Sequence, residues 1–445
     1  MESPIKIPLP EPIQRGMPVV AKLEEHGYEA VFVGGCVRDA VMGLPIKDID
    51  IATSARPEQV MELFPRCVPT GLQHGTVTVL DGLESYEITT YRTESAYENH
   101  RRPSEVRFIQ QLEADLERRD LTINAMAIRS DGTLVDPFGG SEDIVSGIIR
   151  AVGDADLRFT EDALRMLRAI RFSARFGFAI ESGTWEAVER RKPLLASIAM
   201  ERVQAELLQM LDNGNTAQAL ELLAKSGLLA HAAQTLPAFD VWFDSGADSC
   251  RRFVYLDNIE GALGRLAGLM TEDAVMQDMA RTTLLSLKLS NEQSRQVLNI
   301  VQLQQRVLAF AEGNGNSLDH EEASLSEGTS PATDSENWTK AVLAAGKEAA
   351  ALWLNIVSER KDRRWAPQTI KHWQERLRTM PAFTLKELNL NGRQLAEVLE
   401  RKPGPWTGDA LSRLLLEVAE GRLPNESDAL LTQAKRWMDG GNLDE

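Results

Sequence analysis

Three short stretches of this chain hold residue types suited to phosphate chemistry. In "FVGGCVRDAVMGLPIKDIDIAT", Gly34-Gly35 follows an apolar strand-like run and opens a helix-like one. Backbone N–H groups can approach an anion closely at such a helix start, and Arg38, one turn on, reaches the same place. Asp48 and Asp50, two apart on an expected strand, project from one face. Two adjacent carboxylates repel unless a cation sits between them, and hard oxygen donors of this kind suit Mg2+. A glycine turn with a surface arginine, and a solvated strand edge, are the plain alternatives for each feature alone. Together the features describe a phosphate cradle beside a metal site. Glu87, in "YEITTYR", is a candidate third carboxylate on a strand of period two, and cross-strand pairing with an arginine is equally open for it.

The third stretch, "TEDALRMLRAIRFSARF", reads as one helix over residues 160–176 with Asp162 and a ladder of Arg165, Arg168 and Arg171. At about 100° per residue, Ala163, Leu167, Ile170 and Ala174 share the core-facing stripe. Arg165 and Arg168 fall opposite, with Asp162 and Arg171 toward the flanks. Simple helix chemistry accounts for part of this: Thr160 as N-cap, acids at the positive end and a Glu161–Arg165 pair at i,i+4. Phe172 and Phe176 lie on the arginine side, however, and a merely solvated face would not present two phenyl rings. That face is expected to pack against another element or to line a cleft.

The elements that must position these groups change character along the chain. Residues 1–150 alternate: a helix near 12–26, the strand "AVFVGG", a short helix, the strand "KDIDIAT", a helix over 57–64, then the strands "TVTVL" and "SYEITTYR". This is an α+β domain. From about 153 the pattern is helical throughout, with "ERVQAELLQML" and "TAQALELLAKSG" ending at recognisable caps. The segment 311–336 carries seven acids and no Lys or Arg, with too little apolar surface to offset its ordering entropy, and is expected to be a flexible acidic insertion.

Composition sets the outer bounds. The chain has 445 residues, 43% hydrophobic and 26% charged, which is ordinary for a globular protein of several domains. No signal-like start and no apolar run of about 20 residues is seen, so a cytoplasmic location without membrane contact is expected. Cys36, Cys67 and Cys250 form neither a disulfide framework nor a zinc pattern, and the six histidines make no His-Asp dyad. The net charge of −17 is concentrated in 311–336 and 425–445, which together contribute −10. Between Arg92 and Lys192, by contrast, fifteen of sixteen basic residues are arginine, a bias that suits bidentate recognition of phosphates or base edges. Residues 360–378 hold seven Lys or Arg interleaved with Trp365 and Trp373, a candidate for nucleic-acid docking beside the alternative of a solvated helix face.

These stretches, with "ERRDLTINAMAI", resemble the successive motifs of the class II tRNA nucleotidyltransferase and bacterial poly(A) polymerase family, within the DNA polymerase beta superfamily. "TGLQHGTVTVL" and "TYRTESAYENHRRPSEVRF" are similar to the bacterial CCA-adding members. The likeness covers about 20–212 and returns in "KELNLNGRQLAEVLERKPGPW". It implies a polymerase-beta-like nucleotidyltransferase head (1–150) followed by an all-helical neck (151–235), body (236–368, with the insertion 311–336) and tail (369–445, a tRNA-binding candidate). The implied reaction is attack of the tRNA 3′-hydroxyl on the α-phosphate of CTP or ATP, assisted by two metal ions, Mg2+ here, with release of pyrophosphate. Carried over, Asp48 and Asp50 become catalytic metal ligands, and Glu87 stays a candidate for the third acid. Gly35 and Arg38 become triphosphate contacts, Arg119 a nucleotide contact, and Asp162, Arg165, Arg168 and Arg171 the nucleotide-reading helix. A homodimer is implied by the resemblance only.

The reading helix makes chemical sense. Cytosine and adenine both show an amine donor beside a ring-nitrogen acceptor, whereas uracil and guanine show a carbonyl beside an N–H. A carboxylate with a neighbouring guanidinium fits the first pair, at ~1–3 kcal/mol of discrimination per good pairing. The resemblance places the switch from C to A in a flexible loop within about 92–107, full length here, as complete CCA addition requires. Addition of CC only, of A only or of poly(A), and a non-catalytic tRNA-binding protein, are the alternatives.

Overall fold

The structure, a computed structural model, describes residues 5–98, 102–212, 214–244, 246–272, 275–313, 331–361 and 365–439. The chain divides into two compact units, Met1–Arg251 with Ser286–Lys288, and Arg252–Leu285 with Leu289–Glu445.

The first unit opens with α1 (Glu11–Glu25), β1 (Ala30–Val33), α2 (Gly35–Met42), β2 (Asp50–Thr53), α3 (Pro57–Leu63), β3 (Cys67–Gly71), β4 (Thr76–Asp81) and β5 (Glu84–Thr90). It continues through β6 (Arg92–Glu98), β7 (Arg102–Phe108), α4 (Leu112–Glu117), β8 (Ala127–Ile128), β9 (Leu134–Val135), α5 (Gly140–Ser146) and β10 (Ile148–Ile149). Helices then dominate: α6 (Ala155–Glu161), α7 (Leu164–Phe176), the short β11 (Ala179–Ile180), α8 (Ser182–Arg191), α9 (Met200–Asp212), α10 (Thr216–Ser226) and α11 (Pro237–Asp244).

Seven strands form one sheet in the order β3-β4-β5-β2-β1-β8-β9. Within it β2 and β5 run parallel, with Asp50 opposite Glu87, and β1 and β2 run antiparallel, with Val33 opposite Asp50. Period-two alternation assigns the two faces. Phe32, Ile51, Val77, Val79 and Ile88 pack with Ile13, Val20 and Leu23 of α1 and Val60 of α3. Val31, Val33 and Ala52 pack on the other side with Leu112 and Leu116 of α4. Asp50 shares the face of Ala52, so burying Ile51 against α1 aims Asp50 toward the α4 side.

The expected α+β architecture is what the chain adopts, with four local corrections. The expected single helix over 160–176 is two: α6 ends at Glu161, Asp162 is extended (φ −142°, ψ 103°), and α7 begins at Leu164. Thr160 is therefore inside α6, where its hydroxyl donates to the Asp156 carbonyl, and is not an N-cap. β2 begins at Asp50, so Asp48 lies just before the strand and is exposed, although buried Ile49 keeps the alternation going. The segment 92–107, expected as a loop, forms the ladder of β6 and β7, with residues 99–101 outside the described set.

The second unit is helical: α12 (Ala262–Met270), α13 (Gln277–Ser286, which ends in the first unit), α14 (Asn291–Gly313), α15 (Pro331–Ala345), α16 (Lys347–Arg360), α17 (Pro367–Thr379), α18 (Gly392–Val398), α19 (Pro405–Ala419) and α20 (Ser427–Asp439). The expected acidic insertion is therefore helical at both margins, through Gly313 and from Pro331, and residues 314–330 lie outside the described set. Trp338, Trp353, Trp365 and Trp373 form one aromatic cluster, with Trp338 and Trp373 stacked at 4.9 Å. The tryptophans of the basic stretch 360–378 thus pack on each other and on two core tryptophans. Among the described residues no single helix is long and apolar enough to cross a membrane.

Candidate active site

A cleft of about 520 Å3 opens at the start of β2, the central strand of the sheet, lined on one side by Gly34, Gly35, Arg38, Asp50 and Glu87 and on the other by Asp162, Arg165, Arg168 and Phe172. Its position follows from chain reversal at β1. Gly34 sits between strand and helix with φ 72°, a conformation that L side chains rarely adopt. A Cβ at Gly34 would stand 3.1 Å from Arg119 Nη1 and 3.4 Å from Asp50 Oδ2, so the glycine lets a cation and a carboxylate close on the backbone from both sides. Gly35, the glycine singled out from the sequence, has only an ordinary 3.6 Å approach to Arg38; the steric demand lies one residue earlier.

Asp50 and Glu87 stand side by side on parallel strands, and among the described residues Glu87 makes no ion pair that would explain it otherwise. Burial first, then the charge of Glu87, pushes the Asp50 carboxyl above its ordinary pKa; Arg119 opposes the rise and Asp48 adds to it. Such repulsion is what a divalent cation relieves. No three His, Cys, Asp or Glu side chains among the described residues form a preassembled metal cage. Mg2+ needs none, because one or two carboxylates plus substrate phosphates usually hold it. Asp48 lies outside the cleft lining but remains electrostatically coupled to Asp50.

Arg38 is 4% exposed, its guanidinium carbon 5.1 Å from the ring centres of both Phe172 and Phe176. The two rings stack on each other at 5.9 Å. These phenyl groups on the arginine side of α7 therefore pack as a pair beside Arg38, as expected of a face that packs. Asp39 accepts from Arg38 Nε at 2.9 Å, and Arg38 Nη1 donates to Asn124 Oδ1 at 2.7 Å. Asn124 in turn donates to Asp120, whose Oδ2 receives Arg168 Nε at 2.6 Å. Burial alone would raise the Asp120 carboxyl; Arg168 and its other donors overcome this and hold it well below the ordinary carboxylate range. Arg168 thus reaches the cleft from a fixed base.

The segment from Asp162 to Arg171 is arranged differently from its sequence pattern. Asp162 takes two bonds from Arg202 of α9, 3.2 Å to Oδ1 and 2.7 Å to Oδ2, and Oδ1 also accepts from Leu164 N. Arg165 pairs with Glu161 at 2.7 Å, as its spacing predicts, and also donates to the Arg158 and Arg118 carbonyls. Arg171 does not line the cleft: it is 5% exposed and bonded to Glu206 of α9 at 2.6 Å. Arg118, Asp120, Asn124 and Arg202 join the site without having been singled out. "RRD" and "TINA" stood beside Arg119 and were a usable signal. Arg202, forty residues from its partner, had none.

A family model described as the poly A polymerase head domain matches residues 30–150, and one described as tRNA nucleotidyltransferase domain 2 matches 269–434. A third, for an RNA and SrmB-binding site of polymerase A, matches 177–240. The CCA-adding enzyme of Geobacillus stearothermophilus is 38% identical over 94% of this chain and 96% of its own length. That of Lactiplantibacillus plantarum is 36% identical over 98% of both. The crystal structure of a Bacillus stearothermophilus CCA-adding enzyme in complex with CTP superposes with a TM-score of 0.79, at 33% identity over 98% of this chain and all of that one. A Thermotoga maritima CCA-adding enzyme complexed with tRNA shares the fold, with a TM-score of 0.63 at 20% identity over 98% of this chain and all of that one. With relatives more than 30% identical matched over 94–98% of its length, the chain belongs to the CCA-adding enzymes, a family of nucleotidyltransferases.

Proposed function

We propose that this chain builds the 3′-terminal CCA of tRNA from CTP and ATP in the cleft between Asp50 and Asp162. The observation that carries this reading is the opposition of two unlike walls. One wall offers carboxylates, a glycine corner and the arginines 38 and 119, which suit a triphosphate; the other offers Asp162 and Arg165, which suit a base edge. The tRNA 3′-hydroxyl attacks the α-phosphate, one P–O bond forms as another breaks, and pyrophosphate leaves with its charge met by Arg38 and Arg119. Asp48 and Asp50 would hold Mg2+, with Glu87 beside Asp50. When bound, the metal supplies Lewis-acid polarisation of the phosphate and activation of the attacking oxygen.

Base choice fits the remaining hydrogen-bond capacity. An ionised carboxylate offers about four lone-pair sites. Asp162 Oδ1 takes two donors and Oδ2 one, so Oδ2 can accept the exocyclic amine of cytosine or adenine without releasing Arg202. Arg165 keeps N–H groups beyond the three bonds it makes.

The test is to supply a tRNA transcript lacking its CCA end with CTP, ATP and Mg2+ and to sequence the product. Three added residues, C, C and A, are expected; a long A run or an incomplete end refutes the reading. Asp48→Ala and Asp50→Ala are each expected to abolish incorporation while tRNA binding is retained, and turnover like that of the unsubstituted enzyme in either would refute the metal assignment.

A further inference from the structure

Asp115 lies in α4, between the two leucines that dock this short helix on the sheet, and its side chain is 1% exposed. Four donors converge on that one carboxylate. Arg118 Nε and Nη2 reach Oδ1 at 3.0 and 2.9 Å, Arg119 Nη2 reaches Oδ2 at 3.3 Å, and the backbone N–H of Arg92 donates to Oδ1 at 3.2 Å. Burial alone would raise this carboxyl; Arg118, Arg119 and the Arg92 amide overcome the effect and keep it ionised. All three donor residues line the cleft, Arg119 against Gly34 and Arg92 at the first residue of β6. Arg118 reaches the far wall too, because its carbonyl accepts from Arg165 Nη2 at 2.8 Å.

We infer that Asp115 is a positioning residue for nucleotide transfer: it fixes Arg118 and Arg119 in the orientation that meets the triphosphate and ties the root of the β6–β7 hairpin to them. The carboxylate never meets substrate. It acts by denying two long side chains their other rotamers, so that their charge stands ready where phosphate arrives. The inference rests on the proposed placement of the triphosphate, and its test separates the two.

Asp115→Asn in the full chain keeps the shape and removes the charge. The expected result is a KM about tenfold higher for CTP and ATP alike, the size of one weakened charge-assisted contact. Preference for C and A over U and G is expected to be unchanged, as is the loss of activity in Asp50→Ala. In an Arg118→Ala/Arg119→Ala background the same substitution is expected to have no further effect, because its route of action is gone. Unchanged KM in Asp115→Asn, or an undiminished effect in the double-alanine background, overturns the inference. Should Asp115→Asn not fold, Asp115→Glu carries the test: raised KM with a near-normal melting midpoint supports it, and normal KM or failure of both variants to fold overturns it. If the triphosphate reading itself were wrong, Arg118→Ala/Arg119→Ala alone would leave both KM values unmoved.

Discussion

At the residue scale the site depends on shared carboxylates. Asp162 serves Arg202, the amide of Leu164 and, in the proposed complex, a base amine. Removing it together with Arg165 should therefore change which base is accepted more than how fast phosphate is transferred. Asp162→Ala with Arg165→Ala is expected to lose ~1–3 kcal/mol of discrimination, or about 5–150-fold in the ratio of CTP to UTP incorporation. Competition of CTP against UTP on one tRNA primer measures it, and an unchanged ratio counts against base reading by this pair. Arg168 and Arg171 illustrate the converse. Identical in type and three apart on one helix, they differ in use: Arg168 opens on the cleft from its Asp120 anchor, and Arg171 neutralises buried Glu206.

At the element scale, α7 is held to the segment before β8 by the Asp120–Arg168 pair, whose side chains are 9% and 33% exposed. The Asp120 carboxyl is held below its ordinary pKa, so its contribution to stability is present above the unfolded-state value near 4 and is lost as pH falls through the lower folded value. Asp120→Asn should consequently destabilise the fold by about 2 kcal/mol near neutrality, discounted for the exposed arginine. The gap in melting midpoint between the variant and the unsubstituted protein is expected to shrink from pH 7 toward pH 3, and a gap independent of pH would refute the ion pair's role. What the sequence disclosed about these elements follows from range. The alternation of Phe32, Ile51 and Ile88, the turn at Gly34-Gly35 and the Glu161–Arg165 pair are set by neighbours and were legible. Placing Asp50 beside Glu87 requires the parallel pairing of β2 with β5, which period-two patterns cannot choose. The break at Asp162 was invisible because Thr160, Glu161 and Asp162 all suit a first helical turn; the extended backbone there is accompanied by contacts from Leu164 N and from Arg202 of α9. The clustering of Trp365 and Trp373 with Trp338 and Trp353 was hidden for the same reason, since basic neighbours say nothing about partners elsewhere in the chain.

At the scale of the whole molecule, an acidic chain must handle a polyanion. The net charge of −17 coexists with an arginine-lined cleft because the acids are placed away from it in sequence. Residues 314–330 alone carry four acids and no Lys or Arg, between the end of α14 at Gly313 and the start of α15 at Pro331. Replacing them with a short Gly-Ser linker takes the net charge to −13. Long-range repulsion of RNA should fall accordingly, but only where salt does not screen it, since the Debye length is about 8 Å at physiological ionic strength and about 30 Å at 0.01 M. The expected outcome is a lower KM for tRNA at low salt, by about two- to threefold, with kcat unchanged and the difference vanishing near 0.15 M salt. Base preference and melting midpoint should stay those of the full chain, because a segment with so little apolar surface contributes no core. A loss of CCA addition on deletion would instead show that these acids take part in the reaction cycle, and a gain in tRNA affinity that persists at high salt would point to steric obstruction in place of charge.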